Sequence, residues 1–165
     1  MTQEVPSPFD PQGVQWQRVS NKLRSVRLVV IALTMALPLV GAVTLVILLP
    51  QWWSFTILGA LLALTVWMIW LVYRQVPAIG YFEREEDLLI VSGIMFRSLV
   101  VVPYGRMQQV DVEVGPLDRK FGIAKVTLHT ASAGTNAVLP GLLADEAARL
   151  RDRLATRGES RLAGL

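Results

Sequence analysis

LVVIALTMALPLVGAVTLVILLPQWWSFTILGALLALTVWMIWLVY, residues 28–73, contains no Asp, Glu, Lys or Arg, while its flanks carry all sixteen basic and all thirteen acidic side chains of the 165-residue chain. Crossing about 30 Å of hydrocarbon takes roughly 20 apolar helical residues, so the stretch is long enough for two spans. Pro50-Gln51-Trp52-Trp53-Ser54 interrupts it with a helix breaker, the stretch's only amide side chain and a tryptophan pair of the kind that favours the membrane–water boundary. The break predicts spans at 28–49 and 53–73, joined as a tight transmembrane hairpin. Pro38 and Gly41 predict a kink in the first span. Gly59, Ala60 and Ala63 offer a strip of small residues for close helix contact, whose plainer reading is composition alone.

Charge orients the hairpin. Arg18, Lys22, Arg24 and Arg27 precede it, Arg74 and Arg84 follow it, and the connecting turn has no basic residue. By the excess of Lys and Arg on cytoplasmic flanks, both termini are expected on the cytoplasmic side of the cell membrane. A cleaved signal peptide fits poorly, because the apolar segment is too long, begins late and is followed at once by a second one. The absence of cysteine agrees with reducing cytosol. The net charge of +3 does not point to nucleic acid. The excess sits before the first span, with four basic and two acidic residues, whereas residues 74–165 carry twelve basic against eleven acidic. Basic residues there suit topology and attraction to anionic lipid.

Residues 1–27 read as a flexible tail, broken up by Pro6, Pro8, Pro11 and Gly13. Val14, Trp16, Val19, Leu23 and Val26 among basic residues also allow an interfacial helix from Val14 to Arg27. After Tyr73 the pattern changes to short β-branched or alternating runs separated by turn residues. The expected strands are Ala78 to Glu83, Leu88 to Ser92, Ile94 to Val101, Met107 to Val114, Ala124 to Ala131 and Asn136 to Leu139. Turns are expected at Glu86-Asp87, Ser92-Gly93, Pro103-Tyr104-Gly105, Gly115-Pro116 and Ala133-Gly134. Leu143, Ala147, Leu150 and Leu154 then form the apolar stripe of one amphipathic helix, with Gly158 as its stop. The expected fold is therefore α+β, a two-helix hairpin followed over residues 74–157 by six to seven strands and one C-terminal helix. Residues 158–165 remain as a C-terminal tail.

Strands closed by one final helix are the architecture of pleckstrin-homology (PH) barrels. The ordered motifs Val102-Pro103-Tyr104-Gly105-Arg106-Met107-Gln108-Gln109-Val110, Gly115-Pro116-Leu117-Asp118-Arg119-Lys120-Phe121-Gly122-Ile123-Ala124, His129-Thr130-Ala131 and Leu139-Pro140-Gly141-Leu142 resemble those of the bacterial PH-domain family of YdbS-like membrane proteins. Met107 departs from the β-branched residue expected after the arginine. The resemblance covers residues 74–157 and implies a PH-like barrel anchored by paired helices. It implies no reaction and no cofactor, and it suggests a larger membrane protein with the same kind of domain as a partner.

Tyr104, Gly105, Gly115, Pro116, Phe121, Gly122, Pro140 and Gly141 read as structural positions. Gly115 to Gly122 is expected to cross over between strands, anchored by Leu117 and Phe121, and Pro140-Gly141 to stop the last strand. Arg119 and Lys120 are expected to point outward and, with Arg106, to offer one basic edge to anionic lipid or an acidic partner. The competing reading has Arg106 cap a turn or pair with Asp111 or Asp118 and leaves the other two as solvated charges. Nothing favours an enzyme: His129 is the sole histidine and stands on a polar strand face, and Asp111 and Glu113 lack the substrate-binding aromatics of a glycosidase cleft. No phosphate-binding glycine loop is present. Transport by assembled hairpins would need ionisable groups in the spans, where, beyond Ser54 at the turn, only Thr34, Thr44, Thr56 and Thr65 are polar. Two functions remain: a membrane-tethered scaffold or accessory subunit, binding another membrane protein or its own copies, and a sensor of anionic lipid at the inner leaflet.

Overall fold

The computed structural model describes residues 15–130 and 136–163, with side chains up to residue 158. The prolines and Gly13 of the expected tail, Val14, and the turn at Ala133-Gly134 lie outside the described residues, as does Ala131. Two compact units emerge, residues 24–74 and a second made of residues up to 23 together with those from 75 onward.

The first unit is the helical hairpin. Helix α1 spans Lys22–Leu48 and runs unbroken through Pro38, and α2 spans Trp52–Gln75. Both are long and apolar enough to cross a membrane. Large apolar side chains stand exposed along both, among them Leu33, Leu37, Ile47, Val66 and Trp67. In water such a surface is unfavourable, and in lipid it is at home. Ser54, fully buried, builds the turn: its Oγ accepts the Gln51 N–H at 3.2 Å and donates to the Leu49 carbonyl at 2.7 Å. The hydroxyls of Thr34, Thr44, Thr56 and Thr65 each donate to a carbonyl of their own helix, so these polar groups are satisfied internally. At the open end, Arg24 stacks over Tyr73 and Arg74 over Trp70. Gly59, Ala60 and Ala63 are exposed, and a side chain added at Gly59 would meet nothing within 4 Å. The small-residue strip therefore makes no close contact within the hairpin.

The second unit holds two antiparallel sheets, β1-β2-β3-β4 and β5-β6-β7. The strands are β1 Gln17–Arg18, β2 Gly80–Glu83, β3 Asp87–Ser92, β4 Ser98–Pro103, β5 Met107–Glu113, β6 Ile123–Thr130 and β7 Ala137–Leu143. Short helical turns at Val76–Ala78 and Tyr104–Arg106, helix α3 at Pro116–Phe121 and helix α4 at Ala144–Ala163 complete it. β6 alternates from Ala124 onward, with Val126 and Leu128 fully buried, and the α4 stripe Ala147, Leu150 and Leu154 closes the core at 0–1% exposure. These elements follow the period-two and period-3.6 patterns in the sequence.

Four expectations are corrected. Gln17–Arg18 is not tail: it pairs with Gly80 and Tyr81, Val19 and Leu23 are buried, and the Ser20 N–H donates to the Gly141 carbonyl at 2.9 Å. The hairpin is thus inserted between the first two strands of one sheet. β4 starts at Ser98 rather than Ile94, because Gly93 at φ +95° turns the chain and residues 93–97 form a loop. Pro140-Gly141 does not stop β7, which runs on to Leu143. β7 is an edge strand, where proline's missing N–H is tolerated, and Gly141 at φ +77° belongs to a bulge in β7, where Pro140 and Gly141 face Lys125 of β6. Gly158 does not stop α4. One glycine costs about 1 kcal/mol in a helix, too little to end it, and here it is buried beside the Tyr104 carbonyl.

Candidate functional site

The domain has two distinct ends. One carries the junctions to the hairpin at Leu23 and Gln75. It also holds α3, since Lys22 Nζ stands 3.8 Å from where a side chain at Gly122 would begin, and the loop 93–97, since Val91 pairs with Gly80. The far end holds the β2–β3 turn and the Tyr104–Arg106 turn, joined by the Tyr104 hydroxyl donating to the Arg84 carbonyl at 2.9 Å.

Arg106, Arg119 and Lys120 are all exposed, and they stand at opposite ends of one strand. Arg106 stands just before β5 and the other two on α3 beyond its end. Seven strand residues lie between, and at about 3.3 Å each they separate the groups by roughly 20 Å. Asp111 and Asp118, the carboxylates within sequence reach of Arg106, are engaged elsewhere. Asp111 Oδ2 lies 3.2 Å from His129 Nε2, and Asp118 accepts the Gly115 N–H at 3.3 Å as the cap of α3. Lys125 meets Glu113 at 2.6 Å across the strands. Among the described residues no group of three His, Cys, Asp or Glu side chains could hold a metal ion.

The structural motif residues are explained by the same geometry. Gly115 and Pro116 open α3, Gly122 closes it in the left-handed conformation at φ +68°, and Leu117 and Phe121 are half-buried anchors. Tyr104 is 1% exposed and organises the far end. Arg157 Nη1 donates to both the Arg84 carbonyl and the Tyr104 hydroxyl at 3.0 Å, its guanidinium lies over the tyrosine ring, and Glu83 pairs with Arg153 at 3.0 Å. Burial raises the Tyr104 pKa above the ordinary phenol value, against the opposing pull of the Arg157 hydrogen bond. Gly105 is exposed, and a side chain there would meet nothing within 4 Å. Sequence reasoning missed this ion-paired lock, because it joins residues about 70 positions apart, from Glu83 and Arg84 to Arg153 and Arg157. It also missed the loop 93–97, whose Met95 and Phe96 are 86% and 87% exposed. The Ser92-Gly93 turn was legible, but no glycine or proline marks the loop's other end at Arg97 and Ser98.

A model of the bacterial PH domain matches residues 23–158. The chain belongs to the bacterial PH domain family. Within it, the chain is similar to the UPF0699 transmembrane protein YdbS of Bacillus subtilis (strain 168), 38% identical over 107 residues, which are 62% of this chain and 65% of that relative. The match therefore spans a little under two thirds of the curated relative's length. No solved structure matches. For this bacterial PH domain protein, a relative named as transmembrane and two helices of spanning length agree on a membrane location. The sheet pair and final helix are the PH-like part.

Proposed function

We propose that this chain is a two-pass, membrane-anchored interaction module, with both termini and the PH-like domain on the cytoplasmic side, acting without catalysis as a scaffold or accessory subunit of a membrane complex. Its partner would be another membrane protein, a larger one with the same domain type included, or a second copy. The observation that carries the reading is the insertion of the hairpin between β1 and β2, neighbours in one sheet. Such a chain is tied to its anchor at two points. The flanking Arg18, Lys22, Arg24, Arg27 and Arg74 support the cytoplasmic orientation. The second reading, sensing of anionic lipid, is favoured by Lys22 beside α3, which carries Arg119 and Lys120 at the junction end.

The test is purification of the tagged full-length chain in native nanodiscs, compared with R106E and with R119E/K120E, identifying proteins and lipids in each. A stoichiometric protein retained by the native chain and lost in R106E supports the scaffold reading, with its contact at the far end. Enrichment of an anionic lipid that is lost in R119E/K120E, with no protein partner in any sample, overturns the scaffold reading in favour of lipid sensing.

A further inference from the structure

Two of the largest side chains exposed on the domain stand next to each other at one loop tip. Met95 and Phe96 are 86% and 87% exposed, whereas Tyr81, Leu88 and Ile90 in the neighbouring strands are at most 4% exposed. The loop is held open deliberately. Gly93 sits at φ +95°, and a Cβ there would lie 2.0 Å from the Phe96 carbonyl oxygen, so the sharp return that projects these side chains needs glycine.

Position gives this tip a meaning. β3 ends at Val91 and Ser92 beside Gly80, the first residue of β2, so the loop emerges at the junction end of the sheet. Trp16, Arg18, Pro77, Ala78, Ile94 and Arg97 line one concavity of about 240 Å³ there. Pro77 and Ala78 follow α2 within three residues, and at about 3.5 Å per residue the chain reaches no more than roughly 11 Å from the end of that helix. The headgroup layer on each side of the hydrocarbon is itself only about 5–8 Å thick. Two cations flank the apolar tip. The Arg18 guanidinium donates to the Pro77 carbonyl, which fixes it beside the loop, and Arg97 is the next residue after Phe96. Large apolar side chains bracketed by arginines are the composition of a segment that lies in the boundary between acyl chains and anionic headgroups.

We propose that residues 93–97 form a membrane-inserting loop: Met95 and Phe96 enter the bilayer boundary, and Arg97 and Arg18 meet the phosphates of anionic lipids. The occupant of this surface is the lipid bilayer itself. The insertion would fix which end of the domain faces the membrane and leave the Arg106 end, about 20 Å away along β3, for protein contacts. It goes beyond the scaffold reading and does not depend on it.

The chain has no cysteine, so single-site labelling is direct. Full-length F96C and, as the far-end comparison, Q108C are labelled with an environment-sensitive fluorophore. They are then reconstituted in phosphatidylcholine nanodiscs with and without phosphatidylglycerol, and quenched by spin-labelled lipid or by aqueous iodide. Expected are blue-shifted emission, lipid quenching several-fold stronger at position 96 than at 108, protection from iodide, and a loss of the phosphatidylglycerol-dependent part in F96C/R97Q. Iodide access at position 96 equal to that at 108 overturns the proposal. Protection from iodide without lipid quenching also overturns it, because the loop would then be covered by protein.

Discussion

Replacing Gly141 by alanine tests whether residues 17–23 are a built-in part of the domain. Gly141 lies in β7 at φ +77°, and an added Cβ would stand 2.7 Å from Leu23 Cδ2 and 2.8 Å from Leu23 Cβ. The left-handed conformation costs a residue with a Cβ about 1–2 kcal/mol. Forcing a methyl into a filled site costs about 1–3 kcal/mol more. Leu23 is 6% exposed and cannot move away without uncovering itself, and the adjacent Ser20 N–H would lose its bond to the Gly141 carbonyl. The expected loss is therefore about 2–5 kcal/mol, and at about 4–8 °C per kcal/mol for a domain of this size the melting transition of the sheets should fall by about 10 °C or more. The measurement is thermal unfolding of the full-length chain in mild detergent, with hydrogen exchange read on the peptides covering residues 15–23 and 78–83. G105A is the matched comparison, because its Cβ meets nothing within 4 Å. Faster exchange at 15–23 in G141A alone is expected. If G141A melts with G105A, the docking of Leu23 on β7 is refuted; a lower melting point with unchanged exchange at 15–23 would leave only backbone strain.

Y104F removes a buried hydroxyl whose acceptor, the Arg84 carbonyl, keeps Arg157 as donor, so the cost should be about 1–2 kcal/mol by chemical denaturation. Because burial raises the Tyr104 pKa, the folded state holds that proton more tightly; stability is unaffected below a pH of about 10 and falls as pH rises through the folded value. The alkaline loss should be shallower in Y104F, though not abolished, since burial raises Tyr81 as well. S54A takes away the hydroxyl that closes the hairpin turn and should cost about 0.5–2 kcal/mol, read as a lower denaturation midpoint of the helices in SDS, whereas T56A should leave the midpoint in place. G93A forces the turn at φ +95° to open and should cost about 1–3 kcal/mol, measured as a lower melting point of the sheets.

The elements legible in the sequence are those whose pattern is local. The charge-free run of residues 28–73 needs no partner to be read, nor does the alternation Val110, Val112, Val114 in β5 or the Leu143, Ala147, Leu150, Leu154 stripe of α4. β1 was illegible because a two-residue strand has no period; it exists only through Gly80 and Tyr81, about 60 positions away. β7 was read short because Pro140 argues against a central strand, and nothing local reveals that this strand lies at an edge. The spacing of the basic residues was illegible for a related reason. Arg106 and Arg119 are close in sequence, but an extended strand separates them where a helix would have kept them near.

The order of strands and spans bears on how such a domain could work. β1 and β2 are hydrogen-bonded neighbours, with Gln17 opposite Tyr81 and Arg18 opposite Gly80, yet the whole hairpin lies between them in the chain. Any motion that parted the two junctions would have to break that pairing and the Ser20–Gly141 bond, and uncover Val19 and Leu23. The chain therefore enters and leaves the hairpin through two neighbouring strands of one sheet.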